Sequence, residues 1–185
     1  MQVLEWSRMD MDRWVLLIYT LPASPSRKRA LVWREVRRLG AVYLHDGVCG
    51  LPQTALSVPA IELLAQRIVA MDGRATVATD VRLEPREAHD LLRQMREARA
   101  AEYASIRRDT LGLLAHVGYE TAHRDLGAQE LAELEGDVKK LRRWLDQVAA
   151  RDHGVLGVPG DVRAALGECE ARLARIGAAI RSRRP

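Results

Sequence analysis

Phenylalanine is absent from these 185 residues, and Trp and Tyr together make up only 4% of them. A core built without large aromatics must come from Leu, Val, Ala and Ile. Cysteine is nearly absent too: Cys49 and Cys169 stand alone, far apart, with no CxxC pair. That excludes a disulfide framework and the paired thiolates of a structural zinc site, and predicts two reduced, buried thiols. No uninterrupted apolar run is long enough to span a bilayer and no signal peptide is visible, so the sequence predicts a cytoplasmic protein without a membrane partner.

The motifs of common chemistries are missing as well. GxSxG, a P-loop and a dinucleotide GxGxxG beside a strand do not occur. His45, His89, His116, His123 and His153 form no HxxxH pair and lie at no ligand spacing to cysteine, so no metal or cofactor is expected. There is no helix-turn-helix or zinc-finger signature, no repeat and no low-complexity tract. The expectation is a non-enzymatic protein with no catalytic residues.

What is present is a soluble, globular composition with 48% apolar and 29% charged residues, long enough for one or two domains. The net charge of +4 hides an asymmetry: residues 13–40 hold seven basic side chains against Glu35 alone, a local +6, so the remainder sums to −2. A basic segment on a nearly neutral body invites an anionic partner.

That segment opens the most informative stretch, WVLLIYTLPASPSRKRALVWREVRRLGAVYLHDGVCGLP, Trp14 to Pro52. Trp14–Thr20 reads as a buried strand. Ser24-Pro25 reads as a helix cap followed by proline at the first helical position. Ala30, Leu31, Trp33, Val36 and Leu39 mark an apolar stripe, on which Trp33 is expected to serve the core, as Trp144 does on its own helix. Gly40 reads as a left-handed cap. Residues 41–44 and 48–51 are two short strands around His45-Asp46-Gly47, a hairpin signal.

Further on, residues 54–58 read as a connector, 61–71 as a helix stopped by Asp72-Gly73, and 76–83 as a closing strand. The product is a split βαβ, ferredoxin-like domain over 13–83, with two helices on one face of a four-stranded antiparallel sheet. Residues 1–12 read as a loosely ordered lead-in, with Met9 and Met11 as alternative starts.

The period becomes helical from Glu84-Pro85 onward, and residues 84–182 form the expected second domain, a three-helix one. Residues 116–127 read as a loop. Leu131, Leu134, Val138, Leu141, Leu145, Val148 and then Val162, Leu166, Cys169, Leu173, Ile176, Ile180 keep seven-residue apolar spacing, which predicts an antiparallel helical hairpin. At about 1.5 Å per residue its first arm is roughly 35 Å long. Such a pair should bury Leu134, Leu141, Leu145, Leu166, Leu173 and Ile176. The fold class is thus α+β with a helical extension.

Among charged groups, Arg27, Lys28 and Arg29 fall in the first helical turn, where the macrodipole disfavours cations. Positive charge tolerated there beside free backbone N–H groups points to an anion. Arg34, Arg37 and Arg38 continue the series. These six are the candidate binding residues, set against the alternative of a solvated face whose arginines pair with acids.

The strand ending in LP, the Ser/Pro turn, the basic helix with an apolar-W-R unit, and LGA-x-x-L-x-DGV-x-x-LP together resemble the amino-terminal domain of ChrB-type chromate resistance proteins. Tyr103-Ala-Ser-Ile106 and Leu141-Arg-Arg-Trp144 resemble that family's helical extension. The pattern is also similar to the middle domain of PaaX-type repressors and to small CRISPR spacer-acquisition proteins. The resemblance implies a ferredoxin-like first half, a homodimer, and a DNA-binding regulatory role in chromate-responsive expression. An oxyanion- or protein-binding module without nucleic acid is the rival. Full-length ChrB proteins continue into a second domain commonly tied to chromate response, whereas this chain ends at Pro185, so chromate sensing is not carried over from the resemblance. The CRISPR nucleases carry an aspartate at the end of the first strand. Tyr19-Thr20-Leu21 stands there, so their metal-dependent cleavage is not expected, unless Asp46 or Asp80 supplies the acid.

Overall fold

A computed structural model describes residues 12–24, 26–123 and 126–182. The lead-in read over residues 1–12 lies outside them except for Asp12, as does the helix-starting role read for Pro25. The element order is β1 (Trp14–Thr20), α1 (Ser26–Leu39), β2 (Val42–His45), β3 (Val48–Pro52), α2 (Ser57–Val69), β4 (Arg74–Val81), α3 (Pro85–His123), α4 (Ala128–Ala150) and α5 (Gly160–Ser182). The architecture is α+β: a four-stranded antiparallel sheet with helices, followed by a helical part.

The sheet order is β2-β3-β1-β4, with the most apolar strand, β1, paired on both sides. Trp14, Val15, Leu16 and Leu17 are all buried, so this end of β1 is covered on both faces. Strand alternation puts Val15, Leu17 and Tyr19 on one face, and the register aligns Val15 with Leu51 and Leu17 with Cys49, which pairs in turn with Tyr43 of β2. Leu16 lies on the other face, opposite Gly50.

Helix α1 ends as expected at Gly40, whose φ of +77° suits glycine. The Ala41 N–H donates to the Val36 carbonyl at 3.1 Å and the Gly40 N–H to that of Arg37 at 3.1 Å, the paired bonds of a Schellman cap. Its buried residues are Val32 and Val36. Trp33, expected in the core, is half exposed at 50%, and Ala30 and Leu31 are exposed too. The physical reason is phase: the core-facing row is Val32, Val36, Leu39, at steps of four and three, and Trp33 stands about 100° away.

Helix α2 starts earlier than expected, at Ser57, with Pro59 inside its first turn, where a missing N–H costs nothing. The Thr54 hydroxyl accepts from the N–H groups of Leu56 and Ser57, at 3.2 and 3.0 Å. Helix α3 is longer than expected. The stretch 116–123, read as a loop, is its last two turns: Val117 is fully buried, the Thr121 hydroxyl donates to the Val117 carbonyl, and the rings of Tyr119 and His123 stack at 4.4 Å. Polar side chains and Gly118 weaken helix propensity there, and one buried valine with two local contacts outweighs it.

The chain divides into two compact units, one running to Glu97 and including Arg151–Val155, the other made of Ala98–Ala150 and the residues from Leu156 on. The first has a core of β1, Val32, Val36, Cys49, Leu51, Ile61, Leu64, Ile68, Leu91, Met95 and Val155. In the second, Tyr103, Ile106 and Val117 of α3 share a core with Leu131, Leu134, Val138, Leu145 and Val148 of α4 and Val162, Leu166, Cys169 and Leu173 of α5. The seven-residue spacing therefore marks the buried seam, but Leu141 and Ile176 are only partly buried at its margin. Trp144 packs against this core as expected, and both cysteines are free and buried. Burial pushes the Cys49 thiol up to about 12.

Candidate nucleic-acid interface

The six candidate cations of α1 do not share one fate. Lys28 turns toward the end of α2, where its Nζ donates to the Met71 carbonyl at 2.8 Å and meets the Asp72 carboxylate at 3.0 Å. Asp72 stands at a φ of +61° as the left-handed residue closing α2, so Lys28 ties two helices together. Arg38 grips Glu35 through Nε at 3.2 Å and Nη2 at 2.8 Å, and Arg67 of α2 reaches the same Glu35 oxygen at 3.1 Å. The hydrogen bond from Arg38, with the charges of Arg38, Arg67 and Arg34, holds the Glu35 carboxyl below its ordinary range.

Arg27, Arg29, Arg34 and Arg37 remain. All four are exposed, and among the described residues none has a carboxylate within ion-pair distance. Helical phase divides them. Arg27 and Arg34 point away from the core, whereas Arg29 and Arg37 stand one turn either side of Trp33 on the flank of the helix. The Arg37 guanidinium lies over the Trp33 ring, 5.0 Å from its centroid.

That flank borders a cleft of about 660 Å³ lined by Tyr19, Thr20, Leu21, Arg29, Trp33, Tyr43, Asp46 and Gly47. Cross-strand alternation delivers the two tyrosines to the same face, and their hydroxyls meet at 2.9 Å. One hydroxyl donates to the other, which leaves one proton of the pair for the cleft. Burial, above all, raises both phenols above their ordinary value, with the hydrogen bond to Tyr19 adding to the effect on Tyr43. Both stay protonated donors at neutral pH. The Trp33 face and the tyrosine pair went unseen in the sequence; Arg29, Trp33 and Arg37 at four-residue steps were the available signal.

The acids considered for metal chemistry do not converge. Asp46 sits in the β2–β3 turn beside Gly47, whose carbonyl accepts from the Tyr19 N–H at 2.7 Å near the end of β1. Asp80 sits beside Val81, which pairs with Trp14 at the start of β1. A seven-residue strand, roughly 20 Å, separates them. Among the described residues no three His, Cys, Asp or Glu side chains come together as a metal site.

The family model described as "Protein ChrB, N-terminal" matches residues 29–182, taking in most of α1, strands β2 to β4 and helices α2 to α5, but not β1. The chain belongs to the ChrB N-terminal family. It is also 36% identical, over 61 residues, to Protein ChrB of Cupriavidus metallidurans, a segment covering 33% of this chain and only 19% of that relative. The family match thus begins at Arg29, the cation that shares the cleft with Trp33. No helix among the described residues is long and apolar enough to cross a membrane.

Proposed function

We propose that this ChrB N-terminal chain is a non-enzymatic regulatory protein that contacts nucleic-acid phosphates through α1. The observation that carries the reading is the set of four exposed, unpaired arginines, Arg27, Arg29, Arg34 and Arg37, on a helix with no acid in its first turn. Cations at that end work against the helix dipole by about 0.3–1 kcal/mol each, a cost that an incoming anion reverses. The family resemblance adds DNA as the polyanion and chromate-responsive expression as the setting, with a cytoplasmic homodimer as the working form. The βαββαβ order and the central place of β1 support a ferredoxin-like reading of the first half. The core shared by α3, α4 and α5 supports a three-helix reading of the second.

The rival reading, a small oxyanion held in the cleft, has Arg29 and a tyrosine proton in its favour. Asp46 lines the same cleft and opposes it.

Duplex binding measured against salt tests the proposal. Arg27→Ala and Arg34→Ala should each weaken binding and lower the log–log salt slope by up to about one unit. Lys28 and Arg38, already engaged within the fold, should contribute less to the slope. A wild-type chain with no salt-dependent affinity for any duplex would sink the reading.

A further inference from the structure

Trp33 is the feature that phosphate contact leaves unexplained. A tryptophan half exposed on a charged helix forgoes the burial that makes so large a side chain stabilising. Its surroundings are specific: unpaired arginines one turn before and one turn after it, and beside it a cleft carrying a tyrosine hydroxyl pair and a carboxylate. We propose that Trp33 is a base-stacking platform, and that α1 binds a single-stranded nucleic-acid segment with one unstacked base seated against the indole. The inference rests on the reading of α1 as a phosphate-binding surface and adds what kind of strand that surface takes.

The chemistry of the cleft selects the occupant. A duplex hides its base faces and offers only phosphates, which need arginines and no indole. A free oxyanion gains from Arg29 but meets the Asp46 carboxylate. A nucleobase uses every group present: its π face lies on Trp33, its ring carbonyls or nitrogens accept from the tyrosine pair, and an exocyclic amine donates to Asp46. Arg29 and Arg37, at four-residue steps on either side of Trp33, are placed for the flanking phosphates. Stacking of this kind tolerates any base, since each has a π face, while the groove of arginines follows the backbone. Arg37 already shows that the indole face attracts a flat cation.

The test compares a short thymidine homopolymer strand with a duplex of the same length, both titrated with the full chain at fixed salt. Trp33→Ala should weaken single-strand binding about tenfold and leave the duplex affinity and the salt slope unchanged. Trp33→Phe should restore most of the loss, because a ring is restored without the indole N–H. Trp33 is exposed, so both variants should keep the wild-type helical signal. An unchanged single-strand affinity in Trp33→Ala, with salt-dependent duplex binding intact, overturns the platform and leaves the phosphate reading standing. Loss of self-association in Trp33→Ala, with single-strand affinity intact, also overturns it and makes Trp33 a protein contact. A wild-type chain that binds neither strand form removes both readings together.

Discussion

His153 Nε2 lies 2.6 Å from the carbonyl oxygen of Leu39, across 114 residues of sequence. A carbonyl only accepts, so Nε2 must carry the proton. The bond caps the last turn of α1, the helix that carries the exposed arginines, with a residue from the segment joining α4 to α5. His153 itself has a φ of +51°, and Val155, two residues on, is buried in the sheet core and accepts from Arg96 at 2.9 Å. The C-terminal end of the basic helix is therefore fixed by a contact that no local pattern announces.

Gly40 is the most sensitive backbone position in this cap. Its φ of +77° already disfavours a side chain, and an added Cβ would collide with the Arg151 carbonyl oxygen. Gly40→Ala should cost more than the ~1–2 kcal/mol of left-handed strain alone. Gly112, mid-helix with open space around it, is the counterpart: Gly112→Ala should stabilise by about 0.5–1 kcal/mol. Urea midpoints of the two variants should move in opposite directions, and a Gly40→Ala midpoint at or above wild type would refute the close contact.

How much of this was legible beforehand follows from how local each signal is. The β1 strand, the Asp46-Gly47 hairpin, the Gly40 cap and the heptad seam are each written within a few residues, and each is where the pattern placed it. The phase of α1 was not legible. Val32 and Trp33 are adjacent, both apolar, and only the sheet decides which one faces it. The fate of Lys28 was equally hidden, because Asp72 is far off in sequence, whereas the Arg38–Glu35 pair lies within one turn of α1. The tyrosine pair depended on a register in which Cys49 pairs with both Leu17 and Tyr43.

Glu35 links stability to binding. Its carboxyl is depressed in the folded chain, so its contribution is present above the unfolded value of about 4.5 and is lost as pH falls through the lower folded value. Glu35→Gln should therefore lower stability at neutral pH, with the difference from wild type vanishing in acid. The same change releases Arg38 and Arg67, and should tighten duplex binding and steepen its salt slope by up to about one unit. Unchanged salt dependence would mean that neither arginine can reach the backbone.

The tyrosine pair sets the alkaline limit. Tyr43 is raised above its ordinary value of 10.0 by burial and by Tyr19, so the folded chain holds a proton that the unfolded chain releases. That stabilising contribution is whole below the unfolded value and should be lost as pH rises toward the higher folded one. Tyr43→Phe should flatten this alkaline decline, and phenolate absorbance should show fewer groups titrating late. An equally steep decline in Tyr43→Phe would point to other groups, Cys49 first among them.

With Thr20 and Leu21 where an acid would be needed, and with Asp46 and Asp80 at opposite ends of β1, no cleavage of single- or double-stranded DNA or RNA is expected with Mg²⁺ or Mn²⁺. Gel analysis of end-labelled strands checks this. Cleavage abolished by Asp46→Asn would make the chain an enzyme.

The helical unit yields a graded prediction because its seam is not uniformly buried. Leu166 is fully buried and Leu145 nearly so, whereas Leu141, at the same heptad spacing, lies on the margin. Truncating a buried leucine removes its transfer free energy and leaves a cavity, so Leu166→Ala and Leu145→Ala should each cost about 2–5 kcal/mol. Leu141→Ala should cost less, since water already reaches that side chain and can fill the space. Leu166→Asp should be worse than any of them, because it places an unpaired carboxylate among Val162, Cys169 and Leu173. Urea midpoints followed by helical signal give the order, and sedimentation of the same samples assigns the seam. A large loss of stability at unchanged mass puts it inside one chain; a fall in mass at Leu141→Ala would mean that the marginal leucines are covered by a second copy. Equal losses at Leu141 and Leu166 with no change in mass would contradict the burial gradient itself.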